Sequence, residues 1–177
     1  MQSIEIRPLQ YEELEDIWNI DRREVVENVY YLSGGQLMLK PDYFDIQGWP
    51  PGDHEKYTPI GQDCFRRGGA FFGAFTSGKI VGAAILESKF IGKEKDQLQI
   101  PFLHVSRDFR GQGLGRRLFE IASRTARQRG AKRLYISATP SENTIRFYIN
   151  MGCILASEID PHLYALEPED IHLEFIL

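Results

Sequence analysis

The residues that could do chemistry are concentrated between Leu103 and Gly115, which read Leu-His-Val-Ser-Arg-Asp-Phe-Arg-Gly-Gln-Gly-Leu-Gly. An apolar strand ends at Val105, a polar turn follows, and glycines 111, 113 and 115 open a helix that reaches about Arg129. Such a backbone is suited to holding an anion. Glycine allows close approach and left-handed φ angles, and the first amides of a helix have no partner within it and stand at the positive end of its dipole. Phosphate is a natural occupant. Each hydrogen bond to a charged group is worth roughly 1.5 to 3 kcal/mol, so a few such amides support useful affinity without any particular side chain.

Spacing decides among phosphate loops. Gly111-Gln112-Gly113-Leu114-Gly115 is followed by Arg116, so the G-x-G-x-x-G register of a dinucleotide fold fails, and no G-x-x-x-x-G-K-[ST] run exists. Arg110-x-x-Gly113-x-Gly115 resembles the [QR]-x-x-G-x-[GA] pyrophosphate loop of the GCN5-related N-acetyltransferases (GNAT). Val105-Ser-Arg-Asp-Phe109 resembles that family's V-x-P-x-[YF] lead-in, with Arg107 in place of proline. Further on, Asn143-x-x-x-Phe147-Tyr148-x-x-x-Gly152 resembles its N-x-x-A-x-x-x-Y-x-x-x-G-F element, with Arg146 and Cys153 as departures.

The elements that must position these residues follow from patterning. Ile4 and Ile6 alternate with Glu5 and Arg7 as a short strand that ends at Pro8, and Leu14, Ile17 and Trp18 mark an amphipathic helix with acids in its first turns. Residues 22–32 continue as helix, with Val25, Val26 and Val29 inward. Gly34-Gly35 breaks the chain before a small strand at Gln36 to Leu39, and Pro50-Pro51-Gly52 breaks it again. Asp53 to Arg67 is helical. Ala70 to Thr76 and Lys79 to Lys89 form a hairpin about Ser77-Gly78, and Gln97 to Val105 is one strand feeding the glycine loop. The helix after the loop turns Leu114, Leu118, Ile121, Ala122 and Thr125 to one face, and Lys132 to Ala138 returns as a parallel strand. Thr139-Pro140-Ser141-Glu142 predicts a helix capped at Thr139 with a capping box closed by Glu142. Ile154 to Ser157 is a short strand, residues 158–169 a polar loop, and Ile171 to Leu177 a terminal strand that could pair edge to edge in a homodimer.

Composition bounds the rest. With 177 residues, 42% hydrophobic and 26% charged, the chain is an ordinary globular domain, and a net charge of −4 gives no general pull to nucleic acid or to anionic membrane. The basic surplus is local: Arg107, Arg110, Arg116, Arg117, Arg124, Arg127, Arg129, Lys132 and Arg133 lie around the glycine loop. Cys64 and Cys153 have no metal-ligand spacing and read as reduced, buried thiols. The opening Met-Gln-Ser-Ile-Glu-Ile has no signal-peptide pattern and no apolar run is long enough to span a membrane, so a cytoplasmic protein is expected.

The resemblance implies an α/β fold in one domain over residues 1–177: a mixed, mostly antiparallel sheet splayed between its central strands and flanked by helices. A variable segment at about 22–68, rich in Tyr30, Tyr31, Tyr43, Phe44 and Trp49, would cover the substrate. It implies acetyl-CoA held by Leu103, His104 and Val105, by Arg110, Gly111, Gln112, Gly113, Leu114, Gly115 and Arg116, and by Asn143, Phe147 and Tyr148, with no metal. The implied reaction is direct attack of a primary amine, of a small molecule or a peptide, on the thioester. Tyr148 would serve as the acid and the Val105 amide as an oxyanion donor. The base stays open: some relatives carry a glutamate where Gln99 stands, so Gln99 would position a water, or Glu87, Glu27 or His104 would take the proton. The alternative to an enzyme is a sensor module that holds acyl-CoA without turnover.

Overall fold

A computed structural model describes residues 3–177; Met1 and Gln2, the start of the opening read for a signal peptide, lie outside the described residues. Strand β1 (Glu5–Pro8) is followed by a 3-10 helix (Tyr11–Asn19), strands β2 (Glu24–Ser33) and β3 (Gln36–Ile46), and helix α1 (Asp53–Arg66). Then come β4 (Ala70–Thr76), β5 (Lys79–Leu86), β6 (Gln97–Gln99), β7 (Phe102–Val105), α2 (Leu114–Gln128), β8 (Arg133–Ala138) and α3 (Glu142–Asn150). The chain closes with β9 (Ile154–Leu155), α4 (Pro161–Leu166) and β10 (Ile171–Ile176). Among the described residues no helix is long and apolar enough to cross a membrane.

Two four-stranded sheets form the body, in the orders β1-β4-β5-β7 and β6-β8-β10-β9. β4 and β5 are apolar along nearly their whole length because both faces are covered. Phe71, Phe75, Ile80 and Ile85 pack against the 3-10 helix and α1, while Phe72 and Val81 pack against Leu114 and Leu118 of α2. Their turn places both Ser77 and Gly78 at positive φ, 48° and 74°, the primed geometry that a two-residue hairpin favours. A third cluster unites Leu98, Phe119, Leu134, Ile136, Ile145, Tyr148 and Leu173, joining α2 and α3 to the second sheet.

The strand expected to run unbroken from Gln97 to Val105 divides between the sheets. β6 pairs in parallel with β8, Gln97 to Gln99 against Arg133 to Tyr135. The last rung is Ile100 N–H to Tyr135 O at 3.0 Å. Pro101 then has no N–H to give, and from Phe102 the chain pairs antiparallel with β5. The two sheets diverge at this point, and the gap between β7 and β8 is the splay that the resemblance implied.

Several expectations are corrected. Residues 24–33 are not a helix but one arm of a long hairpin with β3, turning at Gly34-Gly35. Val26 and Val29 are buried at three-residue spacing across a register shift between Val26 and Asn28, a spacing that reads as helical, whereas Val25 is exposed. The hairpin docks on the start of α3 through Tyr30 N–H to Pro140 O at 2.8 Å and Asn28 Nδ2 to Glu142 Oε2 at 2.7 Å. That docking keeps Thr139-Pro140 extended, so the expected capping box does not form and α3 begins after Ser141. The polar loop at 158–169 contains α4, capped by Asp160, whose Oδ1 accepts from His162 N and Leu163 N. β10 is not an edge: it lies between β8 and β9, so the terminal strand is not the route to edge-paired dimerisation.

Leu134→Ala, at a fully buried position where β8 meets α2, should cost about 2 to 5 kcal/mol in urea unfolding. A loss well below 1 kcal/mol would show that this cluster is not the core.

Candidate active site

The loop between β7 and α2 leaves a row of main-chain donors free. Arg117 N–H is the first in α2 to find an acceptor, Gly113 O at 3.1 Å. The N–H groups of Gly111, Gln112, Gly113, Leu114, Gly115 and Arg116 have no acceptor among the described residues. Gly111 and Gly113 hold φ of 71° and 81°, and an added Cβ at either would meet open space, so both glycines serve the conformation of the loop. Gly115 serves packing instead: its Cβ would come within 3.2 Å of the Phe147 ring, which lets α2 and α3 approach. Phe147 and Tyr148 in turn pack edge to face on Phe119, at 6.4 and 6.1 Å.

Arg110 is committed internally rather than offered to a ligand. Its Nε donates to Val105 O at 2.9 Å, its Nη groups reach Arg23 O and Asp21 O, and its amide is bonded to Arg107 O. Gln112 Nε2 likewise pins the loop by donating to Asp108 O at 2.9 Å. Of the expected loop contacts, Arg116 is exposed, with no partner for its guanidinium among the described residues.

β7 presents its other main-chain edge to the gap. Ser106 N–H donates to Val81 O at 2.8 Å, and in an antiparallel ladder the hydrogen-bonded pairs alternate. His104 therefore bonds towards β5, and Leu103 and Val105 turn their N–H and C=O groups away from it. The bond from Arg110 to Val105 O agrees.

Tyr148 is 6% exposed and its hydroxyl makes no hydrogen bond among the described residues. Burial, reinforced by Cys153 and Asp170, raises its pKa above that of a free phenol. It therefore stays protonated across the neutral range. Cys153, pushed up to about 12 by burial, stays a thiol, and so does Cys64, also raised to about 12 by burial.

The candidate bases fare differently. Glu87 is removed from the catalytic set: burial would raise its carboxyl, but hydrogen bonds from Arg67 at 2.8 and 3.1 Å and from Ser88 N at 2.7 Å outweigh it and hold it at about 2. His104 sits among Trp49 and Phe102, with ring centroids at 5.0 and 4.7 Å; burial, then the charges of Arg22 and Arg110, lowers it to about 3. It is neutral and a poor proton acceptor. Glu27 is exposed on β2. Gln99 stands at the last residue of β6, half buried, with no side-chain hydrogen bond among the described residues. Asn143 is turned to the hairpin, donating to Glu24 Oε1 at 3.1 Å. Counting seven residues back from Tyr148, as the motif's own spacing requires, gives Ser141. That residue is 3% exposed, at the N-cap of α3, with its hydroxyl on Thr144 Oγ1. Spacing alone could have found it.

Residues 36–153 match the family model described as Acetyltransferase (GNAT) family. The chain belongs to that family. Among curated proteins no match is found. Among solved structures it is similar to a nourseothricin acetyltransferase, with a TM-score of 0.71 at 19% identity and 98% of each chain covered. It is also similar to a provisional streptothricin acetyltransferase from Bacillus anthracis str. Ames in complex with acetyl coenzyme A, with a TM-score of 0.67 at 17% identity, covering 99% of this chain and 98% of that one. PaiA N-acetyltransferase from Thermoplasma acidophilum, in complex with coenzyme A, gives a TM-score of 0.64 at 17% identity, with 99% of each chain covered. These likenesses fix the GNAT fold.

The ion pair at Glu87 has a pH signature. A carboxyl lowered from 4.5 to about 2 contributes stability that is present above the unfolded value and lost as pH falls towards the folded one. Glu87→Gln should therefore be less stable than wild type at pH 7, with the difference vanishing between about pH 4.5 and 2. A difference that persists unchanged at pH 2 in denaturant titrations would mean that the pair does not form.

Proposed function

We propose that this GNAT protein transfers the acetyl group of acetyl-CoA to a primary amine of a small molecule or peptide, in a ternary complex. The observation that carries the reading is the row of unpartnered amides from Gly111 to Arg116 at the mouth of the gap between β7 and β8. Donors so arranged fit a pyrophosphate, and the outward edge of β7 at Leu103 and Val105 fits an extended amide chain lying beside it as a further strand would. Bound coenzyme A or acetyl coenzyme A in two of the similar structures supports the same ligand here. A small-molecule acceptor is supported by the neighbour named for nourseothricin.

The Val105 N–H, turned into the gap, is the donor for the oxygen that gains charge when an amine attacks the thioester. The Tyr148 phenol, protonated and unpaired, donates to the sulfur as the C–S bond breaks. Gln99, unable to accept a proton itself, orients a water beside the incoming amine. The hairpin of β2 and β3, docked on α3, covers the acceptor.

One observation favours a second reading, a module that holds acyl-CoA without turnover: Gln99 cannot take a proton, Glu87 is neutralised by Arg67, and His104 is a weak base. Mixing the protein with acetyl-CoA and a panel of primary amines while following thiol release separates the two, since tight binding with no release for any amine supports the module.

Tyr148→Phe should slow thiol release on the order of a hundredfold while acetyl-CoA affinity by calorimetry stays within about threefold. Equal loss of both would make Tyr148 a packing residue. Gly113→Val, which forces a branched side chain into left-handed φ at the cradle, should weaken acetyl-CoA binding by about tenfold or more, and unchanged affinity would remove the loop from the site.

A further inference from the structure

Arg22 stands in the short crossing between the 3-10 helix and β2, and the main chain is fixed on both sides of it. Asp21 O accepts from Arg107 N–H at 3.0 Å and from Arg110 Nη2 at 3.4 Å, and Arg23 O accepts from Arg110 Nη1 at 3.3 Å. Asp21 and Arg23 neutralise each other, with Oδ2 and Nη2 2.6 Å apart. Of these three residues, Arg22 carries the charge left over.

The Arg22 side chain is 20% exposed, about as buried as that of Arg133 at 18%. Their surroundings differ. Arg133 donates to Asp96, Glu174 and Ser157, whereas Arg22 makes no side-chain hydrogen bond among the described residues. Asp53 is its ion-pair partner, but Asp53 Oδ2 lies 3.8 Å from Nη1, beyond hydrogen-bond reach. The guanidinium otherwise rests over the Trp49 ring at 5.2 Å. Five N–H donors largely withdrawn from water and given no acceptor are costly, and their planar fork matches the two oxygens of a carboxylate.

This guanidinium stands on the side of β7 that an acceptor would use. Leu103 and Val105 pack with α2, so alternation turns Phe102 and His104 to the opposite face. Trp49 covers that face, 5.7 Å from Phe102 and 5.0 Å from His104, with its Nε1 donating to Ile20 O at 3.0 Å. Trp49 is thus the single ring between His104 and Arg22. All three rings are half buried, and β7 ends its sheet, so the face opens along the gap. The loop amides, α2 and α3 take up the other face. An amine that approaches a thioester at Val105 from the free side therefore passes Phe102, Trp49 and Arg22. Nearby Glu24 is already matched by Arg110 and Asn143.

Resting on the acetyltransferase reading above, we propose that Arg22 is a specificity-determining residue that receives a carboxylate of the acceptor in a bidentate hydrogen bond, so that the acceptor is an amine that also carries a carboxylate. Trp49 and Phe102 flank the apolar chain between its two ends.

The test compares matched acceptors on the full chain: straight-chain amino carboxylates from glycine upward, and the corresponding carboxamides, which are alike in shape but neutral at that end. For wild type, kcat/KM should be at least about tenfold higher for the best carboxylate than for its carboxamide, chiefly through KM. Arg22→Gln should bring this ratio close to one, and Arg22→Lys, which keeps the charge and loses the fork, should leave it in between. Asp53→Asn removes the competing carboxylate and should raise the ratio. This variant decides the matter should Arg22→Gln fail to fold. A wild-type ratio near one, a ratio that survives in Arg22→Gln, or a ratio that does not rise in Asp53→Asn overturns the proposal. Failure of the wild type to release thiol with any amine, despite binding acetyl-CoA, would instead sink the acetyltransferase reading and Arg22's role with it.

Discussion

The change of partner at Ile100-Pro101, from β8 to β5 alone, is the constraint on which the rest of the structure depends. Up to Ile100 the chain is bound on both sides, Gln99 O accepting from Glu87 N–H at 2.9 Å and Ile100 N–H reaching Tyr135 O at 3.0 Å. Alternation would bring the next donor for β8 from Phe102, but Phe102 pairs with Ile85 of β5 instead, and the ladder to β8 ends. β7 keeps its pairing with β5, β8 keeps its pairing with β10, and a gap opens between two otherwise continuous sheets. Filling it with side chains would close the site. Instead α2 and α3 roof the gap, brought together by Gly115 against Phe147, and the unsatisfied edge of β7 is left towards it.

That geometry separates holding from reacting. The loop amides at Gly111 to Arg116 are positioned by bonds that do not involve a ligand: Arg110 clamps Val105 O and the carbonyls of Asp21 and Arg23, and Gln112 clamps Asp108 O. Ser106 Oγ accepts from Asp21 N–H and Arg107 N–H donates to Asp21 O, so the chain after the 3-10 helix braces the same turn. The cradle is therefore preorganised, and the ordering cost that binding would otherwise carry is met in folding. The basic residue of the motif acts through the backbone, which is why its charge is neutralised by carbonyls and by Glu24 rather than left free.

How much of this was legible in the sequence follows from how local each signal is. The glycine loop, the Ser77-Gly78 hairpin, α1 and α2 are set by neighbouring residues, and the sequence shows them directly. The hairpin of β2 and β3 was misread because Val26 and Val29 are buried three residues apart at a register shift, a spacing that belongs equally to a helix face. The start of α3 was misplaced because the Thr139-Pro140 signal is local, whereas the carbonyl of Pro140 is taken by Tyr30, over a hundred residues away in the chain. Among the candidate site residues, Tyr148 and the loop carry a spacing that stands in the sequence by itself. The commitment of Glu87 to Arg67 has no such mark, since β5 and the end of α1 meet only in the fold.

The face of the second sheet that bears Asp170 is organised by a polar network that a simple core would not need. Tyr135 is buried, and its phenol, pushed up to about 12 chiefly by that burial, is neutral. It accepts from Asp160 N–H at 3.0 Å and lies 2.6 Å from His172 Nδ1. His172 Nε2 is sealed without a partner among the described residues. Burial lowers the His172 pKa, consistent with a neutral ring. An unsatisfied buried polar atom costs about 1 to 3 kcal/mol, and the acceptor Gln97 Oε1 is a second such atom on this sheet. What these groups achieve together is to fix the segment from Ser157 to Asp160, through Tyr135, Glu158 and Arg133, against the sheet. That segment leads into α4 and so to Asp170. That polar floor, with Ser137 Oγ donating to Asp170 Oδ2 at 2.9 Å, keeps the carboxylate half buried beside the end of β8.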